Sequence, residues 1–220
     1  MKIRILFFII SLSTGKAYAQ STIVSDSLIG EICKTLIKSR EFDDSVKVFK
    51  AFELHLGPAL SKIDDSLAME AFNYTFFQLQ KFCKEFKTIL DRLNPPKGDW
   101  TSLESKPATK LQKKTCREFL NHNGYYYLET NGDTVKLSLA NNLWVDHFKD
   151  GTSSKLKIGW TNDCELEITF IESDNEIRKN YSKPGDKYKY HLLEKNNSYY
   201  TVCLEIKEAN ILEAFRIYYY

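Results

Sequence analysis

The sequence predicts an α+β fold in which a small helical bundle precedes an antiparallel β domain. Over residues 25–93, apolar residues recur with the spacing of amphipathic helices. From residue 116 onward, apolar and polar residues alternate, as in strands with one buried face. Residues 94–115 contain three prolines, one glycine and no sustained period, which is typical of a solvated linker. We therefore predict a helical domain at 25–93, a linker at 94–115 and a β domain at 116–220.

Residues 1–19 have the composition of a cleaved signal peptide. Lys2 and Arg4 are followed by a short apolar run at residues 5–12 and by the small-x-small sequence Ala17-Tyr18-Ala19. The run is about half of the roughly 20 apolar residues that span a membrane. We expect cleavage after Ala19, a periplasmic or secreted protein, and no stable membrane insertion. The alternative is a buried core helix.

Removal of this leader changes the charge balance. Three of the 31 basic residues are lost with it, which leaves 28 basic residues against 29 acidic ones. A nearly neutral chain with interspersed charges has no electrostatic basis for binding nucleic acid, so we expect no such partner.

Three helices are predicted in the first domain, and each opens on an Asp-Ser-aliphatic sequence. The second of them is expected to end at Gly57-Pro58, and the last to extend from about residue 65 to 92. Asp and Ser at a helix start indicate capping of free N–H groups. Asp-Ser/Thr-aliphatic also resembles the O-glycosylation signal of some Gram-negative periplasmic proteins, and this alternative stays open. The sequences are Asp26-Ser27-Leu28, Asp44-Ser45-Val46 and Asp65-Ser66-Leu67, with Asp133-Thr134-Val135 as a fourth match in the β domain.

The linker contains a tryptophan, Trp100. We expect it to dock onto a neighbouring domain, the alternative being contact with a ligand.

The β domain contains eight segments of strand length. Asn, Asp, Gly and Pro residues separate them, and these residues favour tight turns. Short connections at this spacing predict an antiparallel meander, and closure into a barrel or a strongly curled sheet would remove its edges. The segment 173–182 is expected to add a helical turn or a lid. The strand segments are YYYLET, TVKLSL, NLWVDHFK, SKLKIGWT, CELEITFIE, KYKYHLLE, SYYTVCLEIK and ILEAFRIYY.

The hairpin at residues 158–170 shows the alternation most clearly. A two-residue turn at Asn162-Asp163 keeps the even-numbered residues on one face, so we expect Trp160 and Cys164 to face inward. The glutamates on the odd-numbered face are expected to contact water. The inward residues are Ile158, Trp160, Cys164, Leu166, Ile168 and Phe170.

Five cysteines in an exported chain predict two disulfides and one free thiol. Several pairings are open. We favour Cys33–Cys83, which would join the first helix to the third, and Cys116–Cys164, which would tie the start of the β domain to its central hairpin. Cys203 is then unpaired. The cysteines and the four histidines show no metal-site spacing, so no metal or cofactor is expected.

The pattern Cys116-x-x-Phe119, Gly124-Tyr125-Tyr126-Tyr127 and Trp160-x-x-Asp163-Cys164-Glu165-Leu166-Glu167 resembles the lipocalin-like domain of small exported bacterial proteins. The resemblance covers residues 116–172. It implies an antiparallel barrel-like fold and the Cys116–Cys164 link, and it implies no activity. Leu166 stands where the family pattern tends to place an aromatic residue. Residues 25–93 also look like the cysteine-containing helical region of similar exported proteins.

No catalytic motif is present, so we expect a protein that is not an enzyme. The Asp146-His147 pair lacks a serine or cysteine at a recognised spacing, and no Gly-rich phosphate loop occurs. Tyrosine is concentrated in the β domain and suits a pocket with a few hydroxyl groups, an interaction surface or ordinary sheet packing. Two functions follow as expectations. The barrel binds a small hydrophobic or amphipathic ligand lined by Trp160, Tyr126, Leu166 and Ile168, or a solid barrel contacts an envelope protein.

Overall fold

The computed structural model describes residues 24–220, so the leader predicted at 1–19 lies outside the described residues. The predicted order of helices followed by an antiparallel β domain is confirmed. Within residues 24–220, no helix is both long enough and apolar enough to cross a membrane. The first region contains α1 (Asp26–Lys38), α2 (Asp44–Ala51) with a π-helical turn (Phe52–Leu56), α3 (Gly57–Leu60), α4 (Asp65–Phe82) and α5 (Lys84–Leu93).

The three predicted helix starts are correct, but the N-cap residue lies one position earlier in each, and at the second helix this residue, Asp43, makes no capping hydrogen bond through its side chain. Ser25 Oγ accepts from the N–H of Leu28 at 3.2 Å, and Asp64 Oδ1 accepts from the N–H of Ser66 at 2.8 Å. Asp26, Asp44 and Asp65 are instead the first helical residues, where a carboxylate favours the positive end of the helix dipole.

Two predicted helix ends were wrong. The expected long helix breaks at Cys83, which has an extended backbone (φ −124°, ψ 97°) and is joined to Cys33. The helical spacing of apolar residues continues across the break and therefore does not reveal it. The second predicted helix does not end at Gly57-Pro58, because Pro58 lies in the first turn of α3, where no N–H of its own is needed.

The eight predicted strand segments form a closed antiparallel barrel. Each strand pairs with the next along the chain, and the last pairs with the first through Tyr125↔Tyr219 and Tyr126↔Tyr218. Apolar residues at alternate positions point into the interior and form one core, separate from that of the helices. The strands are β2 (Tyr125–Leu128), β3 (Thr134–Ala140), β4 (Leu143–His147), β5 (Ser153–Asn162), β6 (Glu165–Ser173), β7 (Lys187–Lys195), β8 (Tyr199–Ile206) and β9 (Ile211–Tyr219).

Residues 97–111, which we call the strap, are bound to the barrel wall although a solvated linker was predicted there. Strand β1 (Thr101–Ser102) pairs with β9 beyond the point where β2 ends. Trp100 stacks on Phe215 with ring centroids 4.3 Å apart and donates to the Leu128 carbonyl at 2.5 Å. Trp100 thus fills the gap between β2 and β9, as its expected docking role requires.

The two ends of the barrel are closed differently. At one end, α6 (Lys113–Arg117) and a 3₁₀ turn (Glu118–Leu120) insert Phe119, which is fully buried against Tyr125 and Tyr200. At the other end, α7 (Glu176–Tyr181) forms the helical lid that was expected between strands, and α4 packs on it. The carbonyl of Asn180 accepts from Gln78 Nε2 at 2.6 Å, which fixes the helical region over this end.

Both favoured disulfides are present, Cys33–Cys83 and Cys116–Cys164, and Cys203 is free. Each closes about 50 residues of chain, and a link of this kind typically stabilises a small secreted domain by about 2–5 kcal/mol. Cys164 lies in the β5–β6 turn and is partly buried, whereas Cys116 belongs to α6 and is fully buried. The second link therefore ties the helix that closes one end of the barrel to the central hairpin.

Candidate functional site

A cavity of about 220 Å³ lies in the half of the barrel that α7 and the helical region cover. The opposite half is solid, because Phe119, Leu166 and Tyr200 are fully buried there. An eight-stranded barrel is wide enough to be filled by its own side chains or to hold one small molecule. This barrel is filled at one end and hollow at the other.

Strand alternation brings polar side chains into the cavity. On β4, Trp144 and Asp146 face inward, whereas His147 faces outward and contacts Ser138 Oγ at 3.1 Å. The Asp146-His147 pair noted in the sequence is therefore split between the two faces of the wall. Tyr127 and Tyr190 reach the same cavity from β2 and β7. Such inward polar residues are informative because a barrel interior is otherwise apolar.

Asp146 is the most buried carboxylate of the cavity, with 5% of its surface exposed. Trp144 Nε1 donates to its Oδ1 at 2.8 Å. Burial raises the pKa of Asp146 to about 6, although the nearby Arg178 charge and hydrogen bonds from Trp144 and Tyr127 oppose the shift. A carboxylate held in this way within a cavity is a candidate functional group, because its environment sets its charge near neutral pH.

Arg178 of α7 forms an ion pair with Glu129 at the rim of the cavity. Burial lowers the pKa of Arg178, but Glu129 and the other surrounding groups more than compensate, so that the pKa lies above its usual value. Arg178, Glu129 and Ile177 also line an outer groove of about 450 Å³. The ion pair therefore separates the cavity from this groove.

A second charged group approaches the cavity from the helical region. Lys87 of α5 lies 2.6 Å from Glu213 of β9 and 2.8 Å from Asp91. Burial raises the pKa of Glu213, and the Lys87 charge only partly reverses this effect. The contact between Lys87 and Glu213 joins the helical region to the cavity wall itself.

Aromatic rings form much of the rest of the wall. Phe215 is central to this cluster: it stacks on Trp100 and makes edge contacts with Tyr127 and Tyr190 at centroid distances of 5.9 and 5.7 Å. The hydroxyl of Tyr188, another wall residue, lies 2.7 Å from Ser182 Oγ. The wall thus combines apolar faces with a few fixed polar groups, the usual make-up of a small-molecule site.

The four residues predicted to bind ligand do not come together at this cavity. Leu166 and Ile168 face inward and are almost completely buried in the solid half. Trp160 is partly buried near α6, with the Arg117 guanidinium 4.4 Å from its ring centre. Tyr126 lies on the outer face, where its ring stacks on Tyr218 at 4.8 Å, so it does not line the interior.

Asp146 could have been found from the sequence, since in NLWVDHFK it has the same parity as the apolar Trp144. Arg178 carries no such signal, because it lies on a short helix between strands. Within residues 24–220, no group of three or more His, Cys, Asp or Glu side chains is arranged to hold a metal ion. Comparison with family models, curated proteins and solved structures finds no match to this chain.

Proposed function

We propose that this protein is an exported, non-catalytic binding protein that holds one small amphipathic molecule in its barrel. The observation that carries the proposal is the cavity between the barrel wall and the α7 lid, with aromatic walls and a buried carboxylate. Rings supply contact area, and Asp146, Tyr127 and Tyr190 supply a small number of orienting groups.

Export to the periplasm or the exterior rests on the composition of residues 1–19. The two disulfides are compatible with an oxidising compartment outside the cytoplasm. A closed barrel with both ends covered suits a carrier in that compartment, where a small amphipathic molecule would otherwise partition into membranes.

Native mass spectrometry of the protein purified from its own host tests the proposal. We expect a small co-purifying mass on the wild-type protein that is lost under harsher ionisation. Leu156→Phe adds bulk to a side chain that lines the cavity and should reduce the bound fraction. Ile171→Phe adds the same ring at a position that is 41% exposed, and it should bind like the wild type. A clean apo mass under gentle conditions, or a bound mass unaffected by Leu156→Phe, would contradict the proposal.

A second candidate is an envelope or secreted interaction protein that uses the helical region. Val46 and Phe49 lie three residues apart on α2, are therefore neighbours on the helix surface, and are 39% and 67% exposed. For this function, the wild-type protein should cross-link to one protein in its host. Phe49→Ser should abolish that cross-link without lowering the melting temperature. Unchanged cross-linking would count against it.

A further inference from the structure

The charged groups that line the cavity are unequal in number. Two are cations, Lys87 and Arg178, and four are carboxylates. Lys87 is held between Asp91 and Glu213, and Arg178 is held by Glu129. Asp146 is the remaining carboxylate, and no Lys, Arg or His nitrogen of residues 24–220 forms an ion pair with it. The four carboxylates are Asp91, Glu129, Asp146 and Glu213.

Dissolved cations have little access to Asp146, because only 5% of its surface is exposed to solvent. Its hydrogen bonds come from neutral donors, Trp144 at 2.8 Å and Tyr127. A buried carboxylate without a partner cation is unfavourable, and it is stabilised strongly when a cation forms a charge-assisted hydrogen bond with it. The Arg178 charge acts on Asp146, but Arg178 is paired with Glu129. The cavity therefore offers a fixed negative group that forms no direct ion pair with the cationic side chains of the wall.

The rings around Asp146 also favour a cation. Tyr127 and Tyr190 interact electrostatically with the Asp146 carboxylate, and both contact Phe215. Aromatic faces carry negative potential and attract ammonium groups, most strongly where water is excluded. The same rings, with Leu156 and Phe170, provide an apolar surface for the remainder of an amphipathic molecule.

An anion fits the cavity less well. The guanidinium that could hold it, Arg178, is already paired with Glu129. The excess of carboxylates on the wall would repel a second negative charge.

From this charge balance, and resting on the proposed function, we infer that the bound molecule is an organic amine. It binds as its cation, with the ammonium group against Asp146 and the apolar body among the aromatic rings. The shared property of such ligands is one protonated nitrogen on a small aliphatic or aromatic skeleton.

The inference is tested by calorimetric titration with matched probes. The probes are butylamine, cyclohexylmethylamine and phenethylamine, the alcohol of each skeleton, and phenylacetate as the anion. We expect each amine to bind at least about tenfold more tightly than its alcohol, because a charge-assisted hydrogen bond replaces a neutral one. Asp146→Asn should remove this preference, whereas Glu172→Gln, at an exposed carboxylate of the outer face, should retain it.

A pH series on the wild-type protein gives a second readout that does not depend on a variant folding. Amine affinity should weaken as the pH falls below about 6, where Asp146 becomes protonated, and alcohol affinity should not. Glu129, Arg178, Tyr127 and Tyr190 are the charged or titratable groups that act on Asp146 from the other strands and α7.

The outcomes separate this inference from the function on which it rests. Equal binding of amines and alcohols, both blocked by Leu156→Phe, overturns the amine assignment and leaves a small-molecule carrier. Preferred binding of phenylacetate also overturns it and points to Arg178. Absence of binding by every probe contradicts both the amine assignment and the carrier function.

Discussion

Ionisation of the buried Asp146 carboxyl destabilises the folded state, and this predicts a dependence of stability on pH. Its pKa is raised from about 3.8 to about 6, so the folded state holds the proton more tightly than the unfolded state. The free energy of unfolding therefore falls as the pH rises through this interval, and the loss is complete above about pH 6. A pKa raised by about two corresponds to at most about 3 kcal/mol.

Asp146→Asn should remove this loss while keeping an acceptor for Trp144 Nε1. We expect the variant to be more stable than the wild type near neutral pH and about equal to it near pH 4, where the wild-type carboxyl is protonated. Urea unfolding at a series of pH values measures the difference. A stability difference that does not change with pH would show that Asp146 is not the titrating group.

Glu165 on the outer face was expected to contact water, but the structure places it in an ion cluster. His191 lies between two carboxylates, with Nδ1 3.1 Å from Glu165 and Nε2 2.7 Å from Glu205. Burial alone would raise the pKa of Glu165. Hydrogen bonds from Thr161 and Lys189, together with the His191 charge, hold it below its usual value.

Glu165→Gln should therefore destabilise the protein by about 1–2 kcal/mol near neutral pH. Glu167→Gln is the matched control on the same strand face: its pair with Lys187 is more exposed, and we expect less than about 0.5 kcal/mol. The stabilisation that accompanies a lowered carboxyl pKa is fully present above the pKa of the unfolded state and is lost as the pH falls through the pKa of the folded state. The difference in stability between the wild type and Glu165→Gln should therefore vanish in acid. Thermal melts at neutral and at acidic pH measure this difference. Equal destabilisation by the two variants would contradict a stabilising ion cluster around Glu165.

The inward residues of the barrel were predictable from the sequence, but the cavity that some of them line was not. Inward and outward positions follow from alternation, which is why the buried state of Leu166 and Ile168 could be predicted. Whether an inward residue lines a hollow or fills a core depends on what closes each end of the barrel. Here Phe119 fills one end, and α7 covers the other without filling it. That difference arises from the packing of distant segments.

At the scale of elements, the Cys116–Cys164 link joins α6 to the β5–β6 hairpin. Cys116→Ser and Cys164→Ser break the same bond, so each should destabilise by about 2–5 kcal/mol and the double variant should be far from additive. Cys116→Ser should be the more severe, because its hydroxyl would be fully buried whereas position 164 is partly exposed. Thermal melts of the three variants and the wild type measure this. Additive effects would mean that the link contributes little.

The strap explains why the free thiol should be unreactive. The N–H of Leu103 donates to the Leu212 carbonyl of β9, and the N–H of Lys110 donates to the Leu193 carbonyl of β7. Between these two points the strap crosses the outer face of β8, where Lys106 pairs with Glu205. Cys203 on that face is fully buried. Burial raises the pKa of its thiol to about 11, which leaves little thiolate near neutral pH.

Alkylation of the native, unreduced protein should therefore label almost no cysteine. Denaturation without reduction should expose one thiol, and denaturation with reduction all five. Intact-mass spectrometry counts the labels. Rapid labelling of Cys203 in the native state would show that the strap does not cover it.

Elements were predictable where their signals are local. All eight barrel strands lie between recognisable turns, and helix starts carry their own capping residues. The break at Cys83 and strand β1 depend on distant partners, Cys33 and Ala214, and no local pattern indicates either. A linker composition likewise does not reveal that a segment such as Trp100–Ser102 will complete a barrel wall.

At the scale of the whole molecule, polar contacts couple the helical region to the barrel. Lys81 forms an ion pair with Asp186, Gln78 donates to the Asn180 carbonyl, and Lys87 bridges Asp91 and Glu213. All three side chains belong to α4 or α5. Asp186, Asn180 and Glu213 lie at the covered end of the barrel or in its wall, whereas Asp91 is on α5 itself and orients Lys87. The same helices that complete the cavity should therefore unfold together with the barrel.

The chain offers two independent probes of this coupling. All three tryptophans, Trp100, Trp144 and Trp160, lie in the strap or the barrel, so fluorescence reports on that part. Helical circular dichroism reports mainly on α1–α5. In the wild-type protein we expect the two signals to change at the same denaturant concentration, as in two-state unfolding.

Lys87→Met leaves the buried Glu213 unpaired and should destabilise by about 3–5 kcal/mol, with the fluorescence and dichroism transitions moving apart. Lys84→Met, at an exposed position on the same helix, should leave them superimposed. Separate transitions already in the wild-type protein would show that the helical region is an independent unit and that the cavity can open without unfolding the barrel.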